Sequence, residues 1–362
     1  MADTAPTTLK IPRESTMLSI LTELTAIKTA LTTQNSKLDT QNANIAAWAG
    51  ALSGLTTGDK TSLVAAINWL LDNLNTHKNS SVLHDIFAML DEASTADTGA
   101  GIHNSLFRGR NLGAEPTAAQ YAEIKAGTFK GLWLGDYWSK SITHNYVYAP
   151  RNSNGYSIEG DDETRSQTIT PVMRILDHDY YRRAGDNIDL SAHHLNVGPD
   201  ASLFSAPMKQ GANSTVGAYA LSDMRVKYLA GALNAFIAFF GDTHLLSYRD
   251  YLQNAVTDGR ATAGAWYDCK VELLDERQAY GGLVFDSGAA NGTDVFSRYT
   301  VSCKQFNLFR MRPDLISNRQ WYWLRNVVSG AWFASVSSYG NCNSYHASPC
   351  PGVRPHALIY NQ

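Results

Sequence analysis

The sequence predicts an α+β protein in which helices come first and short strands follow. Two observations support this prediction. Residues Thr16 to Trp48 show an apolar repeat of seven residues, which is typical of a long helix that associates with others. Beyond Asp286, short apolar runs alternate with polar loops, as expected for short strands. We therefore expect helical regions over 1–50 and 51–126 and a mixed α/β head over 127–362.

The heptad repeat predicts a coiled-coil stalk within 1–50. Its two columns hold Met17, Leu24, Leu31, Leu38 and Ile45, and Ile20, Ile27, Gln34, Gln41 and Trp48. Leu in the first column with Ile in the second favours more than two strands, so we expect a homotrimer, with a tetramer as the alternative. The two glutamines would fix the register by bonding to their symmetry mates. Alternatively, this helix packs on its own domain.

Three further helices are predicted before the head. Residues Ser62 to Asn75 carry an apolar stripe that follows a Gly- and Thr-rich break. Residues Ser81 to Glu92 and Pro116 to Ala126 are the second and third. These helices form a connector over 51–126.

Within the head, the clearest elements are one helix and several strands. Ser222 to Phe240 has helical apolar spacing, whereas Thr168 to Leu176 is a β-like run. The stretch Gly127 to Trp138 is expected to be a strand in a turn-rich frame.

Composition excludes several function classes. The formal net charge is -3 and there is no Lys- or Arg-rich run, so we expect no nucleic-acid partner. No run of about 18 apolar residues is present, so we expect no membrane insertion. Residues Met1 to Arg13 have no apolar core like that of a secretory signal, which predicts synthesis in the cytoplasm.

Side chains that could support catalysis or hold a metal are few. His193 and His194 are adjacent, so in a strand they would point to opposite faces rather than toward one metal ion. The four cysteines match no zinc or redox spacing. Cytosolic synthesis favours free thiols, although Cys342 and Cys350 could form a disulfide after the protein leaves the cell. We expect no metal, no cofactor and no enzymatic activity.

The C-terminal segment has the composition of a recognition surface. Trp332, Ser335 and Ser337 are expected to alternate with apolar core residues in a half-buried strand. The residues that follow, up to Pro351, are mainly Ser, Tyr, Asn, His, Pro, Cys and Gly. Tyr provides contact area at low entropy cost, and Ser and Asn provide adaptable hydrogen bonds, as in antibody paratopes. An ordinary surface loop has a similar composition.

Four stretches carry a family resemblance. They are GDYW (Gly135 to Trp138), AGAWYDCKVELLDERQAYGG (Ala263 to Gly282), FRMRPDLISNRQWYWLR (Phe309 to Arg325) and YWLRNVVSGAWFASVSSYGNCNSYHASPCPGVRPHALIY (Tyr322 to Tyr360). Together they resemble phage and prophage tail-associated proteins of gut Firmicutes. The last stretch, with its G-V-R-P ending, is similar to the C-type-lectin-like fold that displays variable residues in proteins diversified by retroelements.

The resemblance implies a receptor-binding protein of a virion tail. It implies attachment to tail or baseplate proteins through the N-terminal region and contact with a bacterial surface protein or glycan through the head. The expected contact residues are Trp332, Ser335, Ser337, Tyr339, Asn341, Asn343, Tyr345 and His346. Two alternatives stay open. One is a purely structural tail, baseplate or capsid-fibre component, and the other is an enzyme similar to the formylglycine-generating enzymes, using Cys342 and Cys350.

Overall fold

A computed structural model describes residues 14–49, 82–287 and 304–362. The chain divides into two compact units, Met1–Met89 and Leu90–Gln362. The second unit begins ahead of Gly127, so it includes the part 90–126 of the predicted connector. The predicted helix from Ser62 to Asn75 lies outside the described residues.

The first unit contains the long helix α1, Glu14–Ala49, of 36 residues, which confirms the helix predicted over Thr16 to Trp48. At 1.5 Å per residue, its length is about 54 Å. Threonines along it donate their hydroxyls to carbonyls four residues earlier, as Thr22 does to Leu18 at 2.9 Å and Thr29 does to Thr25 at 3.0 Å. These bonds occupy the threonine hydroxyls within the helix, at a small cost in helix stability. The next helix, α2, is Val82–Ala93, as predicted for Ser81 to Glu92.

Among the described residues of the second unit, five short or medium helices follow. They are α3 (Gly99–His103), α4 (Ala118–Ala126), α5 (Leu229–Phe240), α6 (Glu276–Tyr280) and α7 (Asn307–Met311). A π-helical turn, Met224–Tyr228, precedes α5, so the helix predicted over Ser222 to Phe240 is confirmed with a wider first turn. Helix α4 begins with a capping box between Thr117 and Gln120, which satisfies two N–H groups of the first turn. No helix in the described ranges is long and apolar enough to cross a membrane.

The strands of the second unit number fourteen among the described residues. They are β1 (Tyr137–Ser139), β2 (Ile142–Tyr148), β3 (Glu163–Ile169), β4 (Val172–His178), β5 (Leu195–Pro199), β6 (Phe204–Ser205), β7 (Tyr248–Thr257), β8 (Arg260–Cys269), β9 (Val271–Leu273), β10 (Tyr322–Val327), β11 (Trp332–Val336), β12 (Cys342–His346), β13 (Gly352–Val353) and β14 (Pro355–Ile359). With the helices, they make the fold α+β, as predicted.

Two five-stranded sheets and two hairpins organise these strands. The first sheet has the order β1-β4-β5-β14-β9 and is antiparallel throughout. The second has the order β12-β11-β10-β13-β6, with β10 and β13 parallel. The separate hairpins are β2–β3 and β7–β8. Because β13 and β14 are separated by one residue, Arg354, the C-terminus ties the second sheet to the first.

The stretch predicted as a strand from Gly127 to Trp138 is mostly a turn, and its only strand residues belong to β1. The cause is the buried carboxylate of Asp136, which accepts the Trp133 N–H at 2.8 Å and the Arg110 N–H at 2.9 Å. Arg108 donates to the same carboxylate through its Nε at 3.1 Å. These bonds to Asp136, one from within the turn and two from residues 108 and 110, replace the ladder that a strand would form, so the prediction of a strand here is wrong.

Candidate functional site

The C-terminal segment forms an antiparallel meander of β10, β11 and β12. Trp332 pairs with His346 and Val336 pairs with Cys342 across β11 and β12. The turn between these strands is closed by Ser337 N–H donating to Asn341 O at 2.9 Å and by Gly340 N–H donating to Ser337 O at 2.9 Å. Gly340 has φ +88°, a left-handed conformation that favours glycine. The segment is therefore an ordered sheet with a tight tip.

Strand geometry distributes the predicted contact residues over two faces and a tip. Paired residues point to the same face and neighbours to opposite faces. The face that we call the front carries Trp332 and His346, and the back face carries Ser335, Asn343 and Tyr345. Ser337, Tyr339 and Asn341 lie at the tip. The eight residues therefore do not form one compact surface.

The front face ends in an aromatic pair. The rings of Trp332 and His346 lie 3.9 Å apart between centroids, and both side chains are partly exposed. The pair lies four residue steps along β11 from Val336, so it is separated from the tip by roughly 13 Å. Aromatic platforms of this kind bury large apolar area when a partner covers them.

The back face is closer to the core. Tyr345 lies 5.4 Å from the ring of Trp321 and 6.4 Å from that of Trp323, and Trp323 is fully buried. Ser335 is also fully buried, and its hydroxyl has no hydrogen-bond partner in the part of the chain that the structure describes. The predicted half-buried alternation is therefore wrong for β11, because the strand lies inside its sheet and is covered on both faces except at Trp332.

At the tip, three predicted residues have different roles. Tyr339 is 86% exposed, and Asn341 is also exposed. Ser337 is buried, and its hydroxyl oxygen accepts the N–H groups of Tyr339 and Asn341, each at 3.3 Å. Ser337 therefore shapes the turn instead of facing solvent. The burial of Ser335 and Ser337 corrects their assignment as receptor contacts.

A buried ion cluster holds β10 in place. The Arg325 guanidinium contacts Asp250 at 2.6 Å and Asp275 at 3.5 Å. Tyr181 donates its hydroxyl to Asp250 at 3.1 Å, and Gln278 donates its N–H to Asp275 at 2.7 Å. Burial opposes the charge on Arg325, but the two carboxylates outweigh it and raise the pKa of Arg325 well above its usual value.

A second buried carboxylate, Glu276, holds the backbone of residues 284–286. It accepts the N–H groups of Val284 at 2.7 Å, Phe285 at 3.0 Å and Asp286 at 3.1 Å. The thiol of Cys342 in β12 donates to it at 3.5 Å. Glu276 thus joins this segment to the meander. Sequence reasoning missed this residue, although three acidic residues beside the three apolar ones of VELLDE were a usable signal.

The cysteines in the segment are poorly placed for covalent catalysis. Cys342 and Cys350 are both free thiols. Burial raises the pKa of Cys350 to about 11 and also raises that of Cys342, so neither is a ready thiolate at neutral pH. Cys303 lies outside the described residues.

The histidines noted in the sequence are used in local hydrogen bonding. His193 Nδ1 lies 2.5 Å from Asp179 Oδ2, and His194 Nε2 accepts the Tyr181 N–H at 3.2 Å. Within residues 14–49, 82–287 and 304–362, no group of three or more His, Cys, Asp or Glu side chains could hold a metal ion.

Two cavities lie away from the tip of the meander and from the Trp332–His346 pair. One, of about 10 Å³, is lined by Tyr219, Tyr251, Gln253, Asp275, Arg325 and Asn326, and it has room for a single water molecule. The other is an open groove of about 280 Å³ beside α5 and β9. Neither is lined by any of the eight predicted contact residues.

No protein-family model, curated protein or solved structure matches the chain. Function is therefore argued from the geometry of the chain itself.

Proposed function

We propose that the protein is a receptor-binding component of a virion tail, with a coiled-coil stalk and a C-type-lectin-like head. The observation that carries the proposal is the presentation of Tyr339. A tyrosine that is 86% exposed lies on a tight turn whose backbone is fixed by Ser337 and Gly340. An exposed aromatic on a rigid support binds a partner with little loss of conformational entropy.

The surface that would contact the receptor consists of the tip and the aromatic pair. Tyr339 and Asn341 form one end, and Trp332 and His346 form the other. Asn343 and Tyr345 are partly exposed on the opposite face, where Tyr345 packs against tryptophans. We therefore narrow the receptor contacts to Trp332, Tyr339, Asn341 and His346.

The stalk supports a multivalent attachment. Along α1, the exposed apolar side chains include Leu18 (66%), Ile20 (40%), Ile27 (56%), Leu31 (36%) and Leu38 (49%). All but Leu18 occupy the two heptad columns, so a homotrimeric coiled coil would bury them. Three heads on one stalk would make weak individual contacts add up to strong adhesion. Tail or baseplate proteins would bind the N-terminal region.

The experiment is adhesion of the purified full-length chain to a panel of intact bacteria. A receptor-binding protein binds some strains and not others. Uniform absence of binding, together with incorporation into a tail particle, would support the structural-component alternative.

A further inference from the structure

Strand β12 is the outer strand of its sheet. Ala347 N–H donates to Ala331 O at 3.0 Å, and Ser337 N–H donates to Asn341 O at 2.9 Å, one at each end of the β11–β12 ladder. In an antiparallel pair, hydrogen-bonded pairs alternate with non-bonded pairs. The backbone groups of Asn343 and Tyr345 therefore face β11, and those of Cys342, Ser344 and His346 face away from it.

These outward groups are available along the whole strand. Within the described ranges, the outward N–H and C=O groups of β12 form a single hydrogen bond, from Ser344 N–H to the side-chain oxygen of its neighbour Asn343 at 2.7 Å. All five residues of β12 are partly exposed. The Asn343 oxygen occupies the place where the carbonyl of an added strand would accept, and one rotation of its side chain would free that N–H.

The strand lacks the usual protection of a sheet edge. Natural edges are kept short or carry charged residues or proline. The other edge strands of the two large sheets, β1, β6 and β9, have three residues or fewer. In the two hairpins, β3 carries Glu163 and Arg165, and β8 carries Arg260 and Asp268. Strand β12, with five residues and the sequence CNSYH, has no carboxylate, Lys, Arg or proline.

We propose that β12 accepts an extended polypeptide segment of the receptor as an added strand. The proposal rests on the proposed receptor-binding function and names the partner chemistry as a peptide main chain. Such a chain offers N–H and C=O groups at the spacing of the outward groups of Cys342, Ser344 and His346. Its side chains would alternate between the two faces of the sheet, and those on the front face would meet the Trp332–His346 pair, which would supply specificity.

Ser344 separates a backbone role from a side-chain role. It forms a non-bonded pair with Ala334, so its N–H takes no part in the β11 ladder. Ser344→Pro removes this outward donor and places a ring in the path of an added strand, a substitution that edge strands tolerate. Ser344→Ala keeps the N–H and removes only the hydroxyl, so it is the matched control.

The probe is a library of random, unstructured heptapeptides selected on the full-length chain. We expect selected peptides to bind wild type and Ser344→Ala within about twofold and to bind Ser344→Pro at least about tenfold more weakly. N-methylation of alternate peptide residues provides a second measurement on the wild type alone. Methylation of one alternate set should cost at least about tenfold, and methylation of the other set should cost little, because an added strand uses one edge.

The proposal is overturned if no heptapeptide is selected. It is also overturned if methylation of either alternate set changes the affinity equally and Ser344→Pro, where it folds, binds the peptides as tightly as the wild type. Its failure is distinguishable from failure of the proposed function. If peptides do not use β12 but Tyr339→Ala abolishes adhesion to bacteria, the receptor-binding role stands and the partner is recognised through side chains alone, as a glycan would be.

Discussion

Removal of the buried guanidinium of Arg325 tests how the meander is supported. The substitution Arg325→Met keeps a long side chain of similar reach but deletes the positive charge between Asp250 and Asp275. Asp250 and Asp275 are buried, with 0% and 1% exposure, so bulk solvent does not replace the charge of the lost partner. The prediction is a large loss of stability in the second unit.

The magnitude follows from the burial of the pair. Removing one partner of a buried ion pair costs about 3–5 kcal/mol, because the remaining charge is left uncompensated. We expect a loss at the lower end of this range, about 3 kcal/mol at pH 7. Asp250 still accepts a hydrogen bond from the Tyr181 hydroxyl, and Asp275 still accepts one from the Gln278 N–H. The loss should shrink at acidic pH, since a protonated carboxyl group no longer requires a cation.

The assay is urea unfolding of the full-length chain at fixed concentration, followed by tryptophan fluorescence. The matched control is Arg312→Met, because Arg312 pairs with Asp314 at 2.7 Å while both side chains are substantially exposed. Exposed pairs contribute about 0–1 kcal/mol, so this control should change little. If both variants lose the same small free energy, the ion cluster does not support the meander.

Three further predictions concern the tip, the acid sensitivity and the stalk. Gly340→Ala should cost about 1–2 kcal/mol of unfolding free energy, because φ is +88° and an added Cβ would lie 3.1 Å from Ser317 Cβ; no loss in urea unfolding would contradict this. Burial lowers the pKa of His356 to about 3, and both its ring nitrogens lack a hydrogen-bond partner among the described residues. The ring therefore stays neutral in the folded state while it gains a proton in the unfolded state. For this reason the free energy of unfolding falls as the pH drops from 6.5 toward 3. The stability of His356→Leu relative to wild type should therefore rise by about 2 kcal/mol between pH 7 and pH 5, and a constant difference would refute the assignment. Ile27→Asp should lower the mass measured by light scattering to that of a monomer, whereas Thr29→Asp, outside the heptad columns, should not.

Regular periodicity explains which parts of the fold could be predicted. The helix over Thr16 to Trp48 and the one over Ser222 to Phe240 follow from apolar spacing, which a single sequence shows directly. The turn from Gly127 to Trp138 could not be predicted, because it depends on Asp136 collecting donors from Arg108, which lies 28 residues earlier. A strand-like composition is not informative where a buried carboxylate determines the backbone path.

The same limit applies to the candidate site. Composition identified Tyr339 and Asn341 as surface residues, and the structure exposes both. Composition could not separate Ser335 and Ser337 from them, because serine is equally suited to a surface and to a turn. Packing over both faces of β11 buries Ser335, whereas Ser337 lies beyond the end of that strand and is buried in the turn that it shapes. Such packing depends on contacts between residues far apart in sequence.

The most direct measurement is adhesion of full-length Tyr339→Ala to bacteria that bind the wild type, with thermal stability recorded in parallel. Val216→Ala is the control, since Val216 is 78% exposed and lies outside the meander. We expect Tyr339→Ala to lose adhesion with an unchanged melting temperature, and Val216→Ala to retain both. Tyr345→Ala, which removes a ring packed near Trp321, should instead lower the melting temperature. Full adhesion by Tyr339→Ala would contradict receptor contact through the tip of the meander.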